Sequence, residues 1–308
     1  MIKTAILGGD TDDGGELIRV LAMHPDVMLI GVQAPGLDGT KISDRHHGLI
    51  GETSLNFTSE IDPGAIDMLF ICSDAVTGRD IAMMRESNPE QKIVLFHALK
   101  DASAPEEEIV YGLPEINRKQ LVRGASTAVV PESFASMALV ALFPFANHLL
   151  LSGDIDIHVK APQSVIDETD MPKVKREVKS ILSEVQKSFS SDVRFTVEPG
   201  RTRRSALMDI EFDCPLNLQQ MLDLYEIYDD HNFTFVTTAP IGVSEVAGTN
   251  KCIISIARTP EGRAMLTVAA DCRLRGAAGE AVHIMNLLFG LHEKTGLRLK
   301  AGDFEAIT

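Results

Sequence analysis

IKTAILGGDTDDGG, residues 2–15, opens the chain after its first methionine. The apolar run from Ile2 ends at Gly8-Gly9. From Gly14 to Met23 the residues Leu17, Ile18 and Leu21 return on one face, until Pro25 stops the pattern. Those spacings read as strand, glycine turn, helix. Further short apolar runs follow at 27–32, 66–72, 92–95 and 127–130, with a polar helix over 78–86. Short apolar strands alternating with helices predict a parallel sheet covered on both faces and joined by right-handed crossovers.

From about residue 150 the pattern changes. Asp154–Val159 (DIDIHV) alternates, as a strand with one wet face does, and 172–188 is an amphipathic helix with Val174, Val178, Ile181, Leu182 and Val185 on its apolar side. Strands are expected at 193–197, 206–212, 233–237, 252–257 and 264–269, and helices at 218–228 and 279–291. Thr259-Pro260-Glu261-Gly262 reads as a hairpin turn between the last two strands. Strict alternation is lost here, so the expected fold class is α/β: a Rossmann-like parallel-sheet domain plus a second α+β domain with a mostly antiparallel sheet.

Composition narrows the function. A length of 308 residues suits two domains with substantial cores, and a net charge of −15 disfavours nucleic acid or an anionic membrane as partner. No apolar run approaches the roughly 20 residues that span a bilayer. The N-terminus reads as a strand rather than a targeting segment. Cys72, Cys214, Cys252 and Cys272 show neither paired spacing nor clustering with histidine, which fits a reduced, cytoplasmic protein without structural zinc. His46 and His47 are adjacent but lack further ligand spacing, and a solvated loop accounts for them.

A strand–glycine turn–helix at the start of a parallel sheet is where a dinucleotide would sit. Its fingerprint asks for one glycine to turn, one to admit the pyrophosphate and one to pack helix on strand. Gly8, Gly9 and Gly14 are the candidates for this loop, but Thr11 stands at the middle position and Asp10, Asp12 and Asp13 crowd it. One carboxylate about 6 Å from a phosphate charge costs on the order of 1–3 kcal/mol at an effective dielectric of roughly 20 to 40. The aspartates are equally read as caps that complement the helix dipole.

Two segments carry a family resemblance. Val110–Arg118 (VYGLPEINR) is similar to the YGLPE(L)NR segment of N-acetyl-gamma-glutamyl-phosphate reductases, and Gly276–Leu291 (GAAGEAVHIMNLLFGL) resembles their KGAAGQAVQNMNLMFGL signature. Gly8-Gly9 with Gly15–Arg19 (GELIR) fits their nucleotide loop and first helix. The resemblance spans nearly the whole chain and is weakest over 150–210. It implies NADP-dependent reductive dephosphorylation of an acyl phosphate in arginine biosynthesis, in which a cysteine forms a thioester, NADPH delivers hydride and a histidine serves as acid/base. It also implies a domain of residues 1–133 with 274–308, a catalytic and dimerisation domain of 134–273, a cleft between them, and a homo-oligomer joined through the second sheet.

The family's cysteine lies in an NPGCY(P)T turn. The matching residues are Val130–Ser136 (VPESFAS), which put Ser133 at the cysteine and Glu132 at the preceding glycine. A serine hydroxyl needs a dedicated base where a thiol does not; the plain structural reading makes Ser133 the N-cap of a helix over 134–142. The H(x)H(x)PEI stretch falls on Glu168–Val174 (ETDMPKV), which places Asp170 at the histidine, with His158 the nearest substitute on its alternating strand. Lys160–Gln163 (KAPQ) replaces the glycine-rich segment after the first strand of the second domain, and Phe96–Asp101 (FHALKD) replaces S(A/Q)DFRL. Arg201, Arg203 and Arg204 lie near the family's substrate-phosphate segment, as an anion site or as a solvated loop. Gly279 and Asn286 match helix positions near the nicotinamide, or pack that helix tightly.

Three functions are compatible with these residues. The first is a divergent homologue that has lost reductive dephosphorylation, a pseudoenzyme binding a small-molecule ligand or an active paralogue. The second is an active NADP-dependent reductase of an acyl phosphate that works through the serine or a displaced residue. The third is an NAD(P)-dependent dehydrogenase without a covalent intermediate. Joint loss of cysteine, histidine and middle glycine favours the first.

Overall fold

The structure, a computed structural model, describes residues 1–73, 75–97 and 109–302. The described residues divide into two compact units, one of Met1–Pro131 with Ala277–Arg298, the other of Glu132–Gly276 with residues 299–302. Ser133 therefore falls in the second unit, one residue from its start.

In the first unit the order is β1 (Ile2–Leu7), α1 (Asp12–Ala22), β2 (Val27–Gln33), α2 (Ile42–Arg45), β3 (Met68–Ile71), α3 (Gly78–Ser87), β4 (Lys92–Leu95), β5 (Ile109–Tyr111), α4 (Pro114–Val122) and β6 (Thr127–Val129). Among the described residues the strands form one sheet in the order β2-β1-β3-β4-β6-β5, and every pairing is parallel. Strand order reverses between β1 and β3, the switch point beside which ligands of such sheets lie. The Gly8-Gly9 turn leaves β1 at that point. Both faces are buried, as the continuous apolar strands require: Ala5, Ile6, Phe70, Ile93 and Val94 are fully enclosed.

The second unit runs α5 (Ser133–Asn147), β7 (Ile155–Ala161), α6 (Gln163–Glu168), α7 (Met171–Val185), β8 (Val193–Pro199), β9 (Ser205–Phe212), α8 (Leu218–Asp223), β10 (Thr234–Thr237), β11 (Cys252–Arg258) and β12 (Ala264–Asp271). Its sheet, ordered β10-β11-β12-β9-β7-β8 among the described residues, is mixed. The three central pairings are antiparallel and the two edge pairings parallel. The expected turn closes β11 on β12, with Gly262 at φ +86 and the Gly262 N–H on the Thr259 carbonyl at 2.9 Å. The helices expected over 172–188 and 279–291 end early, at Val185 and Leu288, and two others differ further. The helix expected over 218–228 stops being α-helical at Asp223 and finishes as a 3-10 turn, Leu224–Tyr228. The one expected over 134–142 reaches Asn147 despite Pro144. Proline cannot donate to the carbonyl four residues back. The Tyr228 hydroxyl donates to that Val140 carbonyl at 2.8 Å, which repairs the break.

The last helix, α9 (Ala278–Leu288), returns to the first unit and packs on α1 and α4. Almost every side chain on it is buried, so the VYGLPEINR and GAAGEAVHIMNLLFGL segments belong to one core.

Candidate functional site

The nucleotide loop keeps its turn and its packing. Gly8 has φ +80, and a Cβ there would stand 2.7 Å from the Ser73 amide nitrogen; one on Gly14 would stand 2.6 Å from the Gly8 carbonyl oxygen. Those two glycines let α1 close on the ends of β1 and β3, which is the outer half of the fingerprint. The middle differs. Thr11 is the N-cap of α1: its hydroxyl donates to the Gly8 carbonyl at 2.8 Å and accepts from the Gly14 amide at 3.0 Å. The cap is thus a threonine rather than an aspartate, and Asp12 and Asp13 complement the dipole from the first turn. His46 covers the other side of the turn, with Nε2 2.7 Å from the Gly9 carbonyl oxygen and its ring against Gly15. His46 is a packing residue here.

A pyrophosphate brings two negative charges and needs the amides of this turn. The helix start already has its hydroxyl cap, the middle position carries a Cβ, and Asp10, Asp12 and Asp13 lie in the loop and the first turn of α1. The loop thus keeps the two outer glycines of the fingerprint and departs from it at the middle position.

In the second unit Ser133 is the first helical residue of α5, and Glu132 is the cap; the capping role expected for Ser133 is not what its side chain does. Its hydroxyl lies 2.9 Å from the carbonyl oxygens of Cys272 and Arg275 and 3.4 Å from that of Gly276. The single proton of Oγ is donated into this group of carbonyls. A Cβ on Gly276, at φ +66, would meet Ser133 Cα at 2.4 Å, so glycine is required for the approach. The buried Arg275 donates Nε to Ser136 Oγ at 2.8 Å, one turn along α5. Cys272 is no displaced nucleophile, because burial pushes its thiol up to about 12 and Asp271 adds to the rise. All four cysteines are buried, without disulfides.

Asp170 caps α7, accepting from the Lys173 amide at 3.1 Å, and is exposed. His158, on β7, lies 3.5 Å from the Glu198 carboxylate and is partly exposed. Arg201 and Arg203 are exposed on the turn between β8 and β9. Arg204 parts from them and pairs with the buried Asp271 at 2.5 Å. Burial raises the Asp271 carboxyl even against Arg204 and the Gly248 amide, which marks a tie inside the fold. Lys160–Gln163 lie at the end of β7 and the start of α6; of FHALKD, only Phe96 and His97 lie within the described residues.

Gly279 is the second residue of α9 and is buried. Asn286 is buried too: its Oδ1 meets His24 Nε2 at 3.0 Å, and its Nδ2 donates to the Glu293 and Thr295 carbonyls at 3.0 and 2.9 Å. Both amide hydrogens are engaged within the first unit. No local pattern points to the network around it, in which the Glu293 carboxylate holds His283 at 2.7 Å and Arg118 at 2.8 Å.

A second group also escapes sequence reasoning. Lys173 forms an ion pair with Glu132, Glu177 accepts the Glu132 amide at 3.3 Å, and Arg273 pairs with Glu168 at 2.6 Å. The signal available in sequence is charge alone, an acid at Glu132 and a base at Lys173, about 40 residues apart. Among the described residues no group of three or more His, Cys, Asp or Glu is placed to hold a metal ion, and no helix is long and apolar enough to cross a membrane.

Comparison with known proteins bears on this geometry. Residues 3–123 match the family model for the NAD binding domain of semialdehyde dehydrogenases, which implies a nicotinamide cofactor for the fold. The crystal structure of aspartate semialdehyde dehydrogenase II complexed with ASA from Vibrio cholerae shares the fold, with a TM-score of 0.69 at 15% identity over 94% of this chain and 98% of that one. The N-acetyl-gamma-glutamyl-phosphate reductase of Flavobacterium johnsoniae is 33% identical over 330 residues, covering 99% of this chain and 100% of its own length. That of Parabacteroides distasonis is 35% identical over 328 residues with the same coverage. On full-length identity at this level, the chain belongs to the N-acetyl-gamma-glutamyl-phosphate reductase family.

Proposed function

We propose that this chain is a divergent family member that has lost reductive dephosphorylation and keeps the two-unit scaffold to bind a small-molecule ligand. One observation carries the reading. The Ser133 hydroxyl, at the position of the family's cysteine, directs its proton to backbone carbonyls at 2.9 Å. A carbonyl oxygen is no base at neutral pH, so the hydroxyl has no acceptor that would make it an alkoxide.

Charge supports the same reading. An acyl phosphate with a carboxylate needs unpaired cations. Lys173, Arg204 and Arg273 instead pair with Glu132, Asp271 and Glu168, which leaves Arg201 and Arg203 exposed on their turn as the cations for an anionic ligand. Asp170 is a helix cap, and the nucleotide loop departs from its fingerprint at the middle position.

The test runs the family reaction backwards. N-acetylglutamate semialdehyde, phosphate and NADP are supplied, and NADPH is followed by absorbance, with the Parabacteroides relative as positive control. No turnover above the blank is expected from this chain. Turnover within about a hundredfold of the control, some 2.7 kcal/mol in barrier, would overturn the reading.

A further inference from the structure

The corner around Ser133 has changed in more than its serine. Glu132 sits at the N-terminus of the 15-residue α5, where the helix dipole favours negative charge. Its carboxylate pairs with Lys173, in the first turn of α7, and its amide donates to Glu177 Oε1 at 3.3 Å. The lysine ammonium is partly buried, as is the glutamate, so water screens the pair incompletely. Two carboxylates from the chain itself thus meet at the start of α5. The Lys173 ammonium pairs with the first of them.

We propose that Glu132, Lys173 and Glu177 form an internal charge triad at the start of α5, and that this triad keeps position 133 unreactive whichever nucleophile stands there. The inference rests on the reading that this corner no longer performs acyl transfer. Its residues are positioning residues. A thiolate at 133 would meet three backbone carbonyls and the neighbouring Glu132 carboxylate, against one favourable helix dipole. Replacing Glu132 by glutamine keeps the shape and removes the charge. Lys173 then loses that carboxylate partner and favours the thiolate.

The experiment measures thiol alkylation at position 133 by iodoacetamide from pH 6 to 10, using peptide mass spectrometry on the full chain. The four native cysteines, all buried, serve as slow internal controls. Ser133→Cys alone is expected to react with a midpoint above the ordinary thiol value of about 8.5. Adding Glu132→Gln is expected to lower that midpoint and to speed the reaction at pH 7 roughly tenfold. A midpoint at or below 8.5 in the single variant, or no change on adding Glu132→Gln, would overturn the triad. Should Ser133→Cys not fold, acylation footprinting of Lys173 in the otherwise native chain decides. Labelling should rise several-fold in Glu132→Gln relative to native, with Lys160 as reference, and equal labelling rejects the pairing. Turnover by the native chain would sink the proposed function. A reactive thiol in the Ser133→Cys variant, beside a native chain without turnover, sinks only the triad.

Discussion

The Ser133 hydroxyl oxygen lies 2.9 Å from the carbonyl oxygen of Arg275, across the turn that leads from β12 to α9. That contact ties the start of one buried helix to the end of a central strand, and Gly276 makes room for it.

Ser133→Ala removes this tie and leaves the carbonyls of Cys272 and Arg275 without the hydroxyl. A loss of about 1 kcal/mol in unfolding free energy is expected, read by urea denaturation of the full chain. No loss at all would mean that the contact is incidental.

Asn286→Ala breaks the amide contacts with His24, Glu293 and Thr295 inside the first unit. A cost of roughly 2–3 kcal/mol follows for a buried amide engaged at both ends. NADPH titration of the variant should match native. A selective drop in dinucleotide affinity without loss of stability would restore Asn286 as a cofactor contact.

Glu293 gives stability a defined acid limb. Burial opposes its charge, but hydrogen bonds from His283 and Arg118 overcome that and bring the carboxyl from 4.5 to about 2. A folded value below the unfolded one stabilises fully above pH 4.5 and is lost as pH falls towards 2. Between about pH 6 and about pH 3 this group should forfeit about 2 kcal/mol. Glu293→Gln should be less stable at about pH 6 and should flatten the pH dependence over that interval; an unchanged slope contradicts the assignment.

The nucleotide loop makes a gain-of-function prediction. Thr11→Gly combined with Asn at positions 10, 12 and 13 removes the Cβ, the hydroxyl cap and three charges. NADPH affinity should rise at least tenfold over native, more than about 1.4 kcal/mol, by fluorescence titration. Equal affinities would show that the loop chemistry does not set binding.

Much of this is legible in sequence because local patterning and topology agree. The short apolar strands that hold Phe70 and Val94 announce burial on both faces, and Gly8 and Gly14 announce the close helix–strand approach. The mixed sheet is readable from the alternation of DIDIHV and from the Thr259–Gly262 turn. The site is less legible, because side-chain partners come from distant segments. Ser133 reads as a cap, but the cap is Glu132, and the serine's partners lie about 140 residues on. Arg204 reads as one of three equivalent arginines until Asp271 claims it. Asn286 and Glu293 carry no local pattern for a network that closes only when α9 returns to α1 and α4. The opposite charges of Glu132 and Lys173 are visible in sequence, yet only their contact gives them meaning.

On the proposed function Ser133 is a tether and not a nucleophile, and acyl transfer to it can be observed directly. The native chain is incubated with excess N-acetyl-gamma-glutamyl phosphate, quenched in acid and examined by peptide mass spectrometry, with phosphate release followed in parallel. The expected result is an unmodified Ser133 peptide and phosphate release at the blank rate. An N-acetylglutamyl ester on Ser133, absent from Ser133→Ala, would contradict it.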